Sequence, residues 1–128
     1  MHGEEQIGRL FVYGTLQPDH LRWPFLAPFA VGRRAAEVSG AIYDTGHGWP
    51  VATFGPSART VPGTLVDLRP DRLVEALAVL DDVEATATDL LRRIAVTTMD
   101  GARAWTYHCD RRTDGMTRIE RWDGRDER

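Results

Sequence analysis

Two short stretches of this 128-residue chain combine residue types that could do chemistry. The first is the acidic stretch Leu80–Glu84 (sequence LDDVE), which directly follows an apolar helical pattern. If Glu84 is held against the core, its pKa would be raised and it could act as a general base. The alternative is a solvated acidic loop, which residue type alone favours because Asp and Glu are mostly exposed. Asp81 and Asp82 are weaker candidates, and one of them would brace the loop.

The second stretch is the tetrapeptide Tyr13-Gly14-Thr15-Leu16, which ends an apolar strand pattern. Gly14 lets the backbone turn sharply and lets a ligand approach without a Cβ in the way. Successive amide groups in such a turn can form a concave nest for an anion such as a carboxylate. The alternative is a plain strand-to-turn junction, which the local spacing favours because glycine turns are common.

Other common reaction chemistries find little support in the sequence. Neither serine, Ser39 or Ser57, lies in a nucleophile-elbow pattern. Cys109 directly follows His108, and neighbouring residues of a strand point to opposite faces, so the two cannot form a catalytic pair. The four histidines lack metal-ligand spacing, and no phosphate-binding glycine loop occurs.

The elements that would position the two stretches are mostly strands. Apolar residues at helical spacing predict one clear helix over about Pro70–Leu80, with Glu84 in an acidic loop after it. Asp100-Gly101 predicts a two-residue hairpin turn. Five or six strands and one helix favour an α+β domain with a mostly antiparallel sheet, curled into a small barrel. The predicted strands cover residues 9–13, 35–43, 51–54, 61–68, 91–99 and 102–109.

Length and composition narrow the classes of function. We expect a single domain over residues 1–128, with frayed tails at 1–8 and about 123–128. A net charge of −3 without long runs of like charge argues against a nucleic-acid or membrane partner. A single cysteine and a polar N-terminus predict a cytoplasmic protein. All 16 basic residues are arginine, which we interpret as the trace of a GC-rich bacterial genome.

An ordered series of short blocks runs from about Leu10 to Tyr107. The blocks are LFVYGTL at 10–16, GAIYDTG at 40–46 followed by Trp49-Pro50, VPGTLV at 61–66, LDDVE at 80–84, and Arg92-Arg93 with WTY at 105–107. Each block is weak by itself, but their order and spacing together are fairly specific. The series resembles the γ-glutamylcyclotransferase-like family, also called the AIG2-like family.

The resemblance implies a small mixed, mostly antiparallel β-barrel with flanking helices and a pocket at one end. It implies that the α-amine of a γ-glutamyl substrate attacks the substrate's own γ-carbonyl, which gives 5-oxoproline and a free amine without a cofactor or a metal. Glu84 would be the catalytic acid and base. The amides of Gly14, Thr15 and Leu16 would hold the α-carboxylate, and Tyr13 would add a hydroxyl contact or a wall.

Three positions depart from the family pattern and leave the substrate open. Ala85 replaces a usual glycine, Leu91 replaces a usual tyrosine, and Gln17–His20 replaces a stretch with a second glycine. Two hypotheses therefore stand: an enzyme that acts on a γ-glutamyl amine or peptide, and a non-catalytic domain that binds a small molecule in the same pocket. Four residues are candidates for the pocket rim or for packing: Trp23, Phe25, His47 and Trp49.

Overall fold

The computed structural model describes residues 6–87, 90–125 and 127, and for residues 85–87 it describes the backbone alone. Most of the predicted N-terminal tail and the side chain of Ala85 lie outside the described residues. Within the described part, no helix is long and apolar enough to span a bilayer. The elements are β1 (Arg9–Val12), α1 (Trp23–Leu26), β2 (Ala30–Asp44), β3 (Pro50–Phe54), β4 (Thr60–Leu68), α2 (Leu73–Ala87), β5 (Leu91–Thr97), β6 (Arg103–Cys109) and β7 (Thr117–Ile119).

The strands form one sheet in the order β3-β2-β4-β1-β6-β5, and β7 pairs with β2. Neighbouring strands are antiparallel except for β1 and β6, which run parallel with Leu10 opposite Trp105. The sheet is a nearly closed mixed barrel with two α-helices against it. The fold class predicted from the sequence is therefore confirmed.

Strand β2 is much longer than the predicted strand over 35–43. Its first part, Ala30–Ser39, pairs with β4, while Gly40–Asp44 pairs with β3. The prediction missed residues 30–34 because this largely exposed stretch lacks a regular alternation of apolar and polar residues, and its place in the sheet comes from pairing with β4. The short strand β7 was also missed; Ile119 and Trp122 near it pack against the barrel interior.

Strand β1 is buried on both faces, as its apolar run predicts. Leu10 and Val12 face the core between the sheet and the helices, whereas Phe11 and Tyr13 face the barrel interior. The strand thus joins the two cores and delivers the chain to the Tyr13–Leu16 loop at its end.

Helix α2 continues through the predicted acidic loop and ends at Ala87, so the predicted helix end at Leu80 is wrong. Aspartate is a poor residue for a helix interior, and Asp81-Asp82 therefore predicts an end. In the structure, tertiary contacts of Asp81 outweigh this propensity. The buried face repeats every four residues from Ala76 to Leu80, and one more step places Glu84 on it.

The β5–β6 hairpin forms as predicted, but its loop is longer than two residues. Thr98 and Ala102 still bond across the hairpin, with 2.8 Å between the Thr98 amide nitrogen and the Ala102 carbonyl oxygen. Met99–Gly101 therefore make a three-residue connection, in which Gly101 takes a positive φ of 93°.

Gly63 on β4 is required for the close approach of β4 to β1. A Cβ at this position would lie 2.3 Å from the carbonyl oxygen of Val12 and 2.9 Å from the ring of Phe11. Because Val12 directly precedes the Tyr13–Leu16 loop, a displacement of β4 would also disturb that loop.

We expect Gly63→Ala to lower the free energy of unfolding by roughly 1–3 kcal/mol, because the added methyl group overpacks the β1–β4 contact. Gly8→Ala is the matched control, since a Cβ at Gly8 would meet no atom within 4 Å. Urea unfolding of both variants checks the expectation. Equal stabilities of the two variants would contradict this account of β1 and β4.

Candidate active site

A cavity at the end of β1 brings together all five residues predicted for the site. It contains about 420 Å³ of space free of protein atoms, part of it open to solvent. The predicted residues in its lining are Tyr13, Gly14, Thr15, Leu16 and Glu84. The other lining residues are Phe11, Val12, Arg22, Trp49, Pro50, Leu91 and Tyr107.

The loop after β1 turns at once, and Gln17 donates its backbone N–H to the carbonyl oxygen of Gly14 over 3.1 Å. Gly14 is needed here for a steric reason, because a Cβ would lie 2.7 Å from Cγ of the Pro50 ring. Pro50 begins β3, so the loop packs directly against a second strand of the barrel. The turn is thus fixed by its own hydrogen bond and by its packing against Pro50.

Gly14, Thr15 and Leu16 are buried, yet none of their backbone N–H groups has an acceptor among the described residues. Buried backbone N–H groups are nearly always paired in folded proteins. Three consecutive unpaired donors beside a cavity form a polar surface suited to an anion. The role of these amides as an anion nest remains a prediction, which the unpaired donors support.

Glu84 lies on the buried face of α2 and lines the same cavity. It is only partly exposed to solvent. Removal of its carboxylate from water raises its pKa from 4.5 to about 7, and the positive charge of Arg22 partly opposes this rise. A carboxyl group with a pKa near neutrality exists in both protonation states at pH 7. It can therefore accept a proton and return it within one reaction cycle.

Asp81 braces the helix that positions Glu84. Arg93 on β5 donates two hydrogen bonds to the Asp81 carboxylate, at 2.8 and 3.2 Å. The hydroxyl of Tyr107 on β6 donates to the same carboxylate at 2.8 Å. The Arg93 guanidinium also stacks over the ring of Trp105, 4.4 Å from its centroid. These contacts join α2 to the last hairpin one helical turn before Glu84.

The hydroxyl of Tyr13 is engaged within the protein. It donates to the backbone carbonyl of Tyr107 at 2.6 Å, and burial raises its pKa well above 10.0. The Tyr13 ring packs against Phe54 with 5.6 Å between ring centroids. A hydroxyl contact or a wall was expected from Tyr13. Because the hydroxyl is already bonded within the protein, Tyr13 contributes an aromatic wall to the cavity.

A second cavity also borders Glu84 and contains about 690 Å³ of space, much of it open. Glu84, Leu91 and Tyr107 line both cavities. Glu84 therefore borders both spaces. Asp81, Arg93 and Trp105 complete the lining of the second one.

Of the four candidate rim residues, Trp49 alone lines the first cavity. His47 lies beside it, with 6.4 Å between the ring centroids. Phe25 is half exposed, and Trp23 packs against the core between sheet and helices with Arg33 over its ring. Leu91, one of the departures from the family pattern, makes its part of the wall apolar.

Sequence reasoning missed the cavity residues Arg22 and Tyr107 and the brace formed by Arg93. Tyr107 could have been found from its place in the WTY block, next to the buried strand β1. Arg22 has no local signal, since it follows Tyr13 by nine residues in a stretch without periodic pattern. Only the folded loop returns it to Thr15.

Comparisons with solved structures agree with this fold. An AIG2-like protein from Mus musculus has 18% sequence identity and a TM-score of 0.68, over 93% of this chain and 90% of that chain. An uncharacterised protein from Pyrococcus horikoshii has 19% identity and a TM-score of 0.64, over 90% and 86%. The protein YtfP from Escherichia coli has 26% identity and a TM-score of 0.58, over 88% and 92%.

No curated protein matches this chain in sequence. A family model described as "Gamma-glutamyl cyclotransferase, AIG2-like" matches residues 10–124. This range is most of the chain and includes the Tyr13–Leu16 loop and Glu84. The resemblance seen in the ordered blocks is thereby confirmed. The chain belongs to the γ-glutamyl cyclotransferase, AIG2-like family.

Proposed function

We propose that this protein is a γ-glutamyl cyclotransferase that converts a γ-glutamyl amine or peptide into 5-oxoproline and a free amine. One observation supports the proposal above all others. Glu84, whose pKa is raised to about 7, shares a cavity with the unpaired amides of Gly14, Thr15 and Leu16. Family membership supports the same reaction class.

The substrate would bind with its α-carboxylate on the three amides and its α-ammonium group towards Glu84. Glu84 accepts a proton from the ammonium group, which frees the nitrogen lone pair for attack on the γ-carbonyl carbon. The new C–N bond closes a five-membered ring. Glu84 then returns this proton to the leaving nitrogen as the original amide C–N bond breaks. The ring nitrogen gives up a second proton on ring closure, and this proton ends on the released amine, which leaves as an ammonium group. The substrate with its α-ammonium group thus becomes neutral lactam and an ammonium product, so atoms and charges balance. Because the nucleophile and the electrophile belong to one molecule, orientation supplies much of the rate.

The second cavity would receive the released amine. It lies against the same carboxylate and is lined by charged and aromatic side chains, Asp81, Arg93 and Trp105. An opening of this kind is compatible with a bulky leaving group, such as an amino acid or a peptide. The first cavity is more closely walled by apolar residues, and it suits the compact γ-glutamyl part.

The alternative is a non-catalytic domain that binds a small molecule in the same cavity. Leu91 favours it, because this residue lines the cavity with a side chain that has no polar group. The hydroxyls of Tyr13 and Tyr107 are both donated to protein acceptors, so they are not free to take its place. The alternative predicts binding without formation of 5-oxoproline.

Wild-type protein should form 5-oxoproline from at least one member of a panel of γ-glutamyl amines and peptides, and Glu84→Gln should lower kcat by roughly 100-fold or more. The amide side chain of Gln keeps the shape but cannot accept the proton. Glu75→Gln is the matched control, since Glu75 lies on the same helix with an exposed side chain paired to Arg72. Formation of 5-oxoproline is measured by chromatography.

Absence of product from wild-type protein on the whole panel would favour the binding domain. Equal rates for wild type and Glu84→Gln would remove Glu84 from the mechanism. A similar loss in Glu75→Gln would indicate damage to α2 rather than loss of a base.

The pH dependence of kcat/KM should follow the ionisation of Glu84. The reacting pair is the Glu84 carboxylate with the protonated α-amine of the substrate. The rate should therefore rise with pH through about 7, where Glu84 loses its proton, and fall again above the pKa of the substrate's α-amine. Initial rates between pH 5 and 10 test this. A rising limb centred near 4.5, the usual pKa of a glutamate, would contradict the assigned role.

A further inference from the structure

Arg22 is the one positively charged side chain in the described lining of the first cavity. It directly precedes α1, and its backbone N–H donates to the carbonyl oxygen of Thr15 at 2.7 Å. Its guanidinium donates to the Thr15 hydroxyl at 3.1 Å. Two hydrogen bonds to one residue thus fix Arg22 against the anion nest.

The guanidinium of Arg22 has no ion-pair partner among the described residues. By contrast, Arg9, Arg34, Arg92 and Arg93 each pair with an aspartate. The charge of Arg22 influences Glu84 across the cavity, since it lowers the pKa of that carboxyl group, but the two groups make no direct contact. Most of the five N–H donors of Arg22 therefore remain available to a ligand.

The polar groups of the cavity form two sets of opposite character. The N–H groups of Gly14, Thr15 and Leu16 lie on the side of Arg22, and the carboxylate of Glu84 is the acceptor. A ligand that satisfies both sets carries a carboxylate and a protonated amine. The head group of a free α-amino acid has this combination, and a bidentate Arg–carboxylate contact is among the stronger hydrogen-bonded pairs.

We propose that Arg22 binds the α-carboxylate of the ligand together with the Gly14–Leu16 amides and makes a free α-carboxylate a requirement for recognition. This inference rests on the proposed function for the identity of the ligand. It predicts that γ-glutamyl compounds whose α-carboxylate is blocked as an amide or an ester are poor ligands. Arg22 is thus a specificity-determining residue, while Glu84 remains the catalytic one.

The test compares the binding of 5-oxoproline with that of 5-oxoprolinamide, which replaces the carboxylate by a neutral carboxamide. Isothermal titration or amide chemical shifts give Kd for each ligand without turnover. Wild-type protein should prefer the carboxylate by roughly 10- to 100-fold, the usual effect of one charged hydrogen-bonded contact. Arg22→Gln should weaken binding of 5-oxoproline by about the same factor and leave the carboxamide unchanged.

Two further variants make the result specific. Arg33→Gln is the matched control, because Arg33 stacks over Trp23 and does not line the cavity. Arg22→Lys keeps the charge but loses the planar fork, so its preference should be intermediate. This variant also allows the ligand preference to be measured if Arg22→Gln fails to fold.

Three results would overturn the inference: an unchanged preference in Arg22→Gln, equal weakening for both ligands, or no binding of either ligand to wild-type protein. Failure of the proposed function is a different outcome. Wild-type protein would then bind 5-oxoproline with the expected preference but form none of it from γ-glutamyl amines.

Discussion

The Asp81 carboxylate is the point on which the site depends. It receives two N–H groups from Arg93 and the hydroxyl of Tyr107, and so joins α2 to β5 and β6. Tyr107 in turn accepts the Tyr13 hydroxyl on its backbone carbonyl. These hydrogen bonds therefore connect the helix that bears Glu84, through Tyr107, to Tyr13, the residue directly before the Gly14–Leu16 amides. The side chains of Arg93 and Asp81 are both partly exposed, so this ion pair contributes modestly to the free energy of unfolding. Its main effect is to fix the position of α2 against the sheet.

The site contains polar groups whose burial without a partner costs free energy. Glu84 is held where its charged form is poorly solvated, and three buried amides find no acceptor in the part of the chain that the structure describes. Each would be more stable in water or with a partner. Folded proteins accept such costs at functional sites, where the surrounding structure determines the geometry. The proposed function gives these groups a ligand that offers a carboxylate and a proton donor.

Local patterns in the sequence predicted much of the fold and five of the residues that line the first cavity. The apolar run into Gly14 predicted the buried strand and its loop, because strand burial and glycine turns are local properties. The end of α2 was not predictable in this way. Asp81-Asp82 opposes a helix locally, and the contacts that reverse this preference come from residues 12 and 26 positions further along the chain. Arg22 was missed because its proximity to Glu84 exists only in the folded chain.

The central claim is that burial gives Glu84 a proton affinity suited to general acid and base catalysis. The most direct test is a pH titration of the Glu84 side-chain carboxyl carbon by ¹³C NMR, with Glu84→Gln used to assign the resonance. Our account predicts a midpoint near 7, well above those of the exposed carboxyl groups such as Glu75. A midpoint close to 4.5 would contradict it, because the carboxylate would then be too weak a base to accept the proton from the substrate amine.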